Sequence, residues 1–374
     1  MVLDISLNVF VKQSLVKLNK DEPKFYQVLD VGVTASQPTR ILTRRAIDLI
    51  FVFDKSRSMR GQKIEDAKAA ALKVLERELP PGSSVAVVTF DTEIRNLVRR
   101  KVLESEKDLA KIRKKIANIE AEGWSKMHTA LVHVYKIAKK SRKEGRLVRI
   151  ILFTDGQPTD TKDVGEYEDI STLLVANRIP VDTVGLGPKH AVELLALIAE
   201  MTTGKYCYAE HSGYLPEIVD ELTEAAATSI APNPTLVVEL EHADDESSDL
   251  YQYEPTKGIL YKFEKSGQRL EAPIRAIEAG KAFRACLRLL CHNPSQGTVA
   301  PRQKICSISI SEGSTEHFKQ DIFIDIVAGQ NEINRGVNQV FEMAAELRKH
   351  RVDVTQRGDV GTLIQDFGQE TQRG

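Results

Sequence analysis

The sequence lacks long apolar runs. No stretch of its 374 residues approaches the ~18 uninterrupted apolar residues that a membrane-spanning helix requires. Its first residues, MVLDISLNVFVKQ, alternate between apolar and polar types, and they lack the basic region and apolar run of a secretory signal. We therefore expect a cytoplasmic protein without a membrane partner.

Cysteine is also scarce. Cys207, Cys286, Cys291 and Cys306 are the four cysteines, and none has the spacing of a CxxC or Cys/His zinc site. All four fall in segments patterned as strands. We interpret them as reduced, half-buried thiols, which agrees with a cytoplasmic location.

The sequence has no excess of charge of either sign. Its 52 Lys and Arg residues nearly balance its 53 Asp and Glu residues, so no global field attracts nucleic acid or an anionic membrane. Basic clusters at residues 99–101, 111–115 and 139–143 are interpreted as solvated faces, and nucleic-acid binding is not expected. The acidic run at 244–246 is interpreted as a solvated loop.

Hydrophobic patterning first predicts a β-hairpin, within residues 1–44, and then a change of fold class. The almost continuous apolar run from Ile47 to Phe53 is typical of a parallel strand buried on both faces. Residues 45–228 therefore predict a doubly wound, mostly parallel α/β sheet. Its other strands are expected at 84–90, 148–153 and 181–186, and its helices at 62–79, 108–119, 129–140, 170–177, 191–202 and 214–226.

Alternating patterns return after the segment APNPT at 231–235, which is interpreted as a linker. Antiparallel strands are expected within residues 232–330, at 236–240, 282–291, 305–310 and 322–326. Because these strands are too few to close a sandwich, we expect the N-terminal hairpin to complete it. The α/β domain would then be inserted into a discontinuous antiparallel β-sandwich. Residues 331–350 predict an amphipathic C-terminal helix, and 351–374 a flexible tail.

Acidic and hydroxyl side chains follow two of the predicted parallel strands. Asp54, Ser56 and Ser58 come directly after the first strand, and Asp155 ends the strand in VRIILFTDG. In a doubly wound sheet these strands can be neighbours, with both acids at the carboxyl edge where such folds bind ligands. Carboxylates and hydroxyls without His or Cys suit Mg²⁺ or Mn²⁺ better than zinc. The alternative is that both serines merely cap the next helix, which leaves Asp155 unexplained.

The DxSxS motif with a later strand-ending Asp-Gly resembles the metal-ion-dependent adhesion site of von Willebrand factor A domains, a Rossmann-like fold. The resemblance implies that Asp54, Ser56, Ser58 and Asp155 hold a metal ion, with Mg²⁺ expected and Mn²⁺ or Ca²⁺ as alternatives. It covers roughly half of the chain. The flanking strands and final helix are similar to those of inter-alpha-trypsin-inhibitor heavy chains and their bacterial relatives.

The family's fifth ligand is a threonine before the third helix, and this chain departs from that pattern. Spacing to Ala130-Leu131 selects Ser125, which retains the hydroxyl oxygen, and Thr129 is the alternative. Trp124 and Lys126 beside Ser125 would alter the rim of the site and thereby the partner.

An ion with few anionic ligands keeps positive charge, and a vacant coordination position can accept a partner's carboxylate. We therefore expect a metal-dependent protein-binding module, not an enzyme, that grips an acidic residue of a protein partner. The family resemblance further implies partners in ATPase systems or kinase and phosphatase pairs.

The competing interpretation is a phosphoester- or nucleotide-processing enzyme on the same scaffold. The first strand is followed by DKSRSMRG, which is neither a GxGxxG nor a Walker motif. A haloacid-dehalogenase-type phosphotransferase would need a carboxylate at position 56, where this chain has serine. Neither serine lies in a GxSxG elbow. Separately, the repeated TQRG at the tail makes Thr355 and Thr371 candidate phosphorylation sites, with an unmodified tail as the alternative.

Overall fold

The computed structural model describes most of the chain up to residue 325. The described ranges are 7–13, 24–35, 44–76, 79–156, 158–188, 190–209, 215–229, 231–241, 243–254, 257–261, 264–266, 268–278, 282–292 and 302–325. The expected C-terminal helix at 331–350 and tail at 351–374, with Thr355 and Thr371, lie outside these ranges. Within them, every helix is too short or too polar to cross a bilayer.

Among the described residues, strands alternate with helices in the middle of the chain and strands alone lie on either side. The strands are β1 (Leu7–Gln13), β2 (Lys24–Ala35), β3 (Ile47–Asp54), β4 (Ser84–Phe90), β5 (Ile94–Val102), β6 (Leu147–Thr154), β7 (Val181–Leu186), β8 (Tyr206–Ala209), β9 (Thr235–Leu240), β10 (Ala243–Glu254), β11 (Lys257–Tyr261), β12 (Glu264–Ser266), β13 (Arg269–Pro273), β14 (Ala282–His292), β15 (Arg302–Glu312) and β16 (Thr315–Asp325). The helices are α1 (Gln62–Glu76), α2 (Glu106–Ala117), α3 (Met127–Lys143), α4 (Val164–Ala176), α5 (Val192–Met201) and α6 (Leu215–Thr228).

One compact unit, Arg40–Pro232, contains a six-stranded sheet in the order β5-β4-β3-β6-β7-β8. All pairings are parallel except β4 with β5, which is antiparallel. Strands β3, β4 and β7 are buried at every position, as expected for parallel strands covered on both faces. The predicted mostly parallel α/β sheet is therefore confirmed.

Helices cover both faces of this sheet. Buried residues of α1, α2 and α6 pack on one face, against Phe51, Phe53 and Phe153. Buried residues of α3, α4 and α5 pack on the other, against Val52 and Leu152. Neighbouring residues of a strand thus contact opposite helical layers, and the sheet lies between these layers. Both faces are covered, so ligands can reach the loops at the carboxyl edge of the sheet.

The second unit comprises residues 1–39 and 233–374 and contains two five-stranded antiparallel sheets within its described ranges. Their strand orders are β1-β2-β14-β10-β11 and β12-β13-β9-β15-β16. Strands β2 and β14 pair from Ala282 opposite Thr34 to His292 opposite Lys24, so the N-terminal hairpin shares a sheet with C-terminal strands.

Two details expected for this second unit were wrong. The number of strands after the linker was underestimated, because β10 to β13 are also present, although the hairpin does join the C-terminal strands as expected. The acidic run at 244–246 belongs to β10 and not to a loop. A register shift between Asp244 and Asp249 interrupts its pairing with β14, as a β-bulge does.

Candidate metal centre

The two acids of the candidate site meet because β3 and β6 are parallel neighbours. Phe53 lies opposite Phe153 in their register. Asp54 ends β3, and Asp155 directly follows the last residue of β6. Both acids therefore reach the same carboxyl edge of the sheet.

Asp54 is fully buried and accepts three hydrogen bonds. Its Oδ1 accepts from the backbone N–H of Ser56 at 2.8 Å. Its Oδ2 accepts from Oγ of Ser125 at 2.9 Å and from Oγ1 of Thr154 at 2.7 Å. Burial raises the pKa of the Asp54 carboxyl, the hydrogen bonds from Thr154 and Ser56 oppose the rise, and nearby Asp155 adds to it.

The two motif serines lie together beside this carboxylate. Oγ of Ser56 and Oγ of Ser58 are 3.0 Å apart. Ser56 is buried and precedes a short 3-10 turn, Arg57–Met59, but its side chain makes no capping hydrogen bond. Helix capping therefore does not account for Ser56.

Asp155 is buried, with 2% of the residue exposed, and its two oxygens differ. Oδ2 lies 3.0 Å from Nζ of Lys63 in an ion pair. Oδ1 is buried and has no hydrogen-bond partner among the described residues. A buried carboxylate oxygen without a partner is costly, because nothing replaces the water it has lost. A cation bound next to this oxygen would therefore offset that cost.

The backbone of Ser125 is fixed by hydrogen bonds from Thr159 and by the conformation of the preceding loop. Its carbonyl accepts from the backbone N–H and the hydroxyl of Thr159, at 2.7 and 2.9 Å. Gly123 has a φ of +73°, and a Cβ there would lie 2.8 Å from Oγ1 of Thr92. Glycine accommodates both the positive φ and the close approach to Thr92, because it has no Cβ. Ser125 thus reaches Asp54, whereas the alternative ligand, Thr129, donates to Asp160 through its N–H and hydroxyl, each at 2.9 Å.

These donors fit a hard divalent cation. Two carboxylates and three hydroxyls supply only oxygen, which is the ligand set of Mg²⁺ and Mn²⁺ and not that of zinc. In the part of the chain that the structure describes, no cluster of three or more His, Cys, Asp or Glu residues could hold a metal. The residues that could bind an ion at this edge are Asp54, Ser56, Ser58, Ser125 and Asp155.

Two contributors were not predicted from the sequence. Thr154 donates to Asp54 and accepts from the N–H of Gly156 at 2.8 Å, so it connects the carboxyl ends of β3 and β6. Its position next to Asp155 was the available signal. Lys63 lies at the start of α1, and no local pattern links it to an acid 92 positions away.

None of the four cysteines is a candidate ligand of this site. Cys207 is partly buried and Cys306 is fully buried, so the expected half-burial is wrong for Cys306. The side chains of Cys286 and Cys291 lie outside the described residues.

Comparisons with known proteins agree with this architecture. The family model described as "von Willebrand factor type A domain" matches residues 47–208. An uncharacterised protein of Synechocystis is 28% identical over 224 residues, 57% of this chain and 52% of that protein. The human inter-alpha-trypsin inhibitor heavy chain H4 is 33% identical over 123 residues, 32% of this chain and 13% of that protein. The chain thus spans about half or less of these relatives.

Two solved structures show the same fold. A von Willebrand factor type A protein from Catenulispora acidiphila has a TM-score of 0.67 at 15% identity and covers 84% of this chain and 72% of its own. The ArnB paralog VWA2 from Sulfolobus acidocaldarius has a TM-score of 0.61 at 18% identity, with coverages of 98% and 90%. Together with the sheet order and the family model, they lead to one conclusion: residues 47–208 of this chain form a von Willebrand factor type A domain.

Proposed function

We propose that this chain is a divalent-metal-dependent protein-binding module that grips an acidic residue of a protein partner. Von Willebrand factor type A domains are typically interaction or adhesion modules. The observation that carries the metal-dependent part is the buried Oδ1 of Asp155, which has no hydrogen-bond partner among the residues that the structure describes, at the same sheet edge as Asp54 and three hydroxyls. The ion would be Mg²⁺, with Mn²⁺ or Ca²⁺ as alternatives.

The chain's own residues prepare this edge before any ion binds. Thr154 fixes the carboxylate of Asp54, and the contacts from Thr159 fix the backbone of Ser125. When bound, Mg²⁺ supplies a positive centre and a coordination position that a partner's carboxylate can fill. Because the protein ligands are held by packed strands and a braced loop, little ordering is needed when the partner arrives.

Several related expectations remain proposals. We propose a cytoplasmic location, partners from ATPase systems or kinase and phosphatase pairs, and phosphorylation of Thr355 and Thr371. We also propose that the two five-stranded antiparallel sheets pack as a β-sandwich into which the α/β domain, residues 45–228, is inserted. Limited proteolysis that released a stable fragment of residues 232–330 would contradict that arrangement.

Calorimetry on the full chain tests the metal site. We expect Mg²⁺ and Mn²⁺ each to bind to the wild type with a stoichiometry of one ion per chain. Neither ion should bind to Asp54→Ala. Asp169→Ala, which removes an exposed carboxylate on α4, is the matched control and should bind like the wild type. Circular dichroism of each variant verifies that the fold is retained.

Two outcomes would overturn the proposal. One is the absence of metal binding to the wild type. The other is turnover of a nucleotide or phosphoester at a rate that Asp54→Ala abolishes, which would favour the enzyme alternative.

A further inference from the structure

A large aromatic side chain lies exposed at the rim of the candidate metal centre. Trp124 is 61% exposed, more than any other large hydrophobic residue that the structure describes. Its backbone is nevertheless fixed, because its N–H donates to Oγ1 of Thr92 at 3.2 Å and the preceding Gly123 packs against Asp91. Tryptophan is enriched at protein interfaces, so an exposed indole ring on a loop with a fixed backbone is suited to bind a partner.

Arg57 accompanies this ring. Its guanidinium carbon lies 6.0 Å from the centroid of the Trp124 ring, within cation–π range, and the backbone N–H of Arg57 donates to the carbonyl of Gly123 at 3.1 Å. The side chain is exposed, and among the described residues it forms no ion pair with a carboxylate. Arg57 thus retains guanidinium donors that can bind an incoming carboxylate.

Both residues are immediate chain neighbours of proposed metal ligands. Trp124 precedes Ser125, and Arg57 stands between Ser56 and Ser58. Consecutive Cα atoms are about 3.8 Å apart, so Trp124 and Arg57 border the residues that would hold the ion. A partner segment whose acid bound the ion would therefore present its neighbouring side chains to these two residues.

We propose that Trp124 and Arg57 form a recognition subsite for the same protein segment that supplies the acid to the metal. This inference rests on the proposed function. The segment carries an aromatic or large aliphatic side chain that packs on Trp124, and a second acidic residue that pairs with Arg57. Tryptophan and arginine are the residue types most enriched among interface positions that dominate binding energy.

Selection from a random heptapeptide display library in Mg²⁺ tests this subsite, with the full chain as bait. The wild type should enrich peptides that contain two acidic residues and one large apolar residue. Trp124→Ala should lose the apolar preference and keep the acids, and Arg57→Gln should lose the second acid. Leu173→Ala, at the carboxyl-terminal end of α4, and Arg99→Gln, on β5, are matched controls with exposed side chains and should select like the wild type.

An enriched peptide can then be used to measure how much Trp124 contributes to peptide affinity. Trp124 is the only tryptophan in the chain, so its intrinsic fluorescence reports binding at this rim directly. Trp124→Ala, measured by calorimetry, should weaken the peptide's binding about tenfold or more, as loss of a dominant interface residue does. Its Mg²⁺ affinity should stay that of the wild type.

Failure of this inference differs from failure of the proposed function. If the wild type binds Mg²⁺ and selects acidic peptides without an apolar preference, the subsite is refuted and the metal-dependent function stands. If the wild type binds Mg²⁺ and selects no acidic peptide, or binds no metal, both are refuted.

Discussion

Lys63 places a positive charge inside the candidate metal centre, and removing that charge is a direct test of the site. Its ammonium group lies 3.0 Å from Oδ2 of Asp155. A Cβ on Gly187 would lie 2.6 Å from Cε of Lys63, so the glycine leaves room for this side chain to pass. Lys63→Met retains an unbranched chain of similar length without the charge. We predict that this variant is less stable without metal and binds Mg²⁺ more tightly.

The magnitude follows from the geometry. Two unit charges 3.0 Å apart attract by about 5.5 kcal/mol at an effective dielectric constant of about 20. Lys63 is 31% exposed, so desolvation and solvent screening leave a net contribution of about 1–3 kcal/mol. A divalent ion near Asp155 meets the same ammonium as a repulsive neighbour. Its removal should therefore raise Mg²⁺ affinity about fivefold to about a hundredfold, since 1.4 kcal/mol is about tenfold.

Urea denaturation followed by circular dichroism, with and without Mg²⁺, measures the first effect, and calorimetry measures the second. Ligand binding to the folded state adds stability, so saturating Mg²⁺ should shrink the difference between Lys63→Met and the wild type. Lys73→Met, on the same helix and paired with Glu76 at 3.7 Å, is the matched control and should change neither quantity. Equal or weaker Mg²⁺ binding by Lys63→Met would refute the reasoning.

Three further predictions concern groups around the sheet. Arg149→Met leaves the fully buried Asp182 without its bidentate partner and should lower the free energy of unfolding in urea by about 3–5 kcal/mol, much of which Asp182→Leu should restore in the double variant. Burial lowers the pKa of His190, so stability should fall as pH decreases below about 6.5, the unfolded value; denaturation across this range should show a weaker dependence in His190→Gln. Thr154→Val leaves the buried N–H of Gly156 unpaired and should lower the free energy of unfolding in urea by about 1–3 kcal/mol; an unchanged value would show that another group satisfies it.

Local sequence patterns predicted the four inner strands of the central sheet, β3, β4, β6 and β7, because these strands are buried on both faces. Their short, mostly apolar segments between helical patterns are typical of buried parallel strands. Strand β5 was not predicted, because it is an antiparallel edge strand whose sequence, IRNLVRRKV, is half solvated and basic. Strand β10 was not predicted because ADDESSDLYQYE has the composition of a loop, and it forms a strand by pairing with β11 and β14. Such pairing depends on distant segments that periodicity does not reveal.

At the candidate site, too, residues placed by local strand patterns could be predicted, and residues placed by contacts between distant segments could not. Asp54 and Asp155 could be placed together because each ends a strand pattern, and parallel strands end at one edge. Ser125 could be selected only by spacing within a family resemblance, and its hydrogen bond to Asp54 supports that selection. Lys63 could not be found, because its contact depends on the path that its side chain takes past Gly187.

The charges at this edge explain why the proposed partner contact would require a metal. Asp54 and Asp155 are both buried; burial raises the pKa of the Asp54 carboxyl, and the negative charge of Asp155 adds to that rise. Lys63 compensates one oxygen of Asp155, and the other oxygen has no hydrogen-bond partner within the described part of the chain. A partner's carboxylate would bring a third negative charge to a site that holds one lysine, so like-charge repulsion opposes its approach. A bound divalent ion reverses the sign of that interaction, and metal binding should therefore precede capture of an acidic partner.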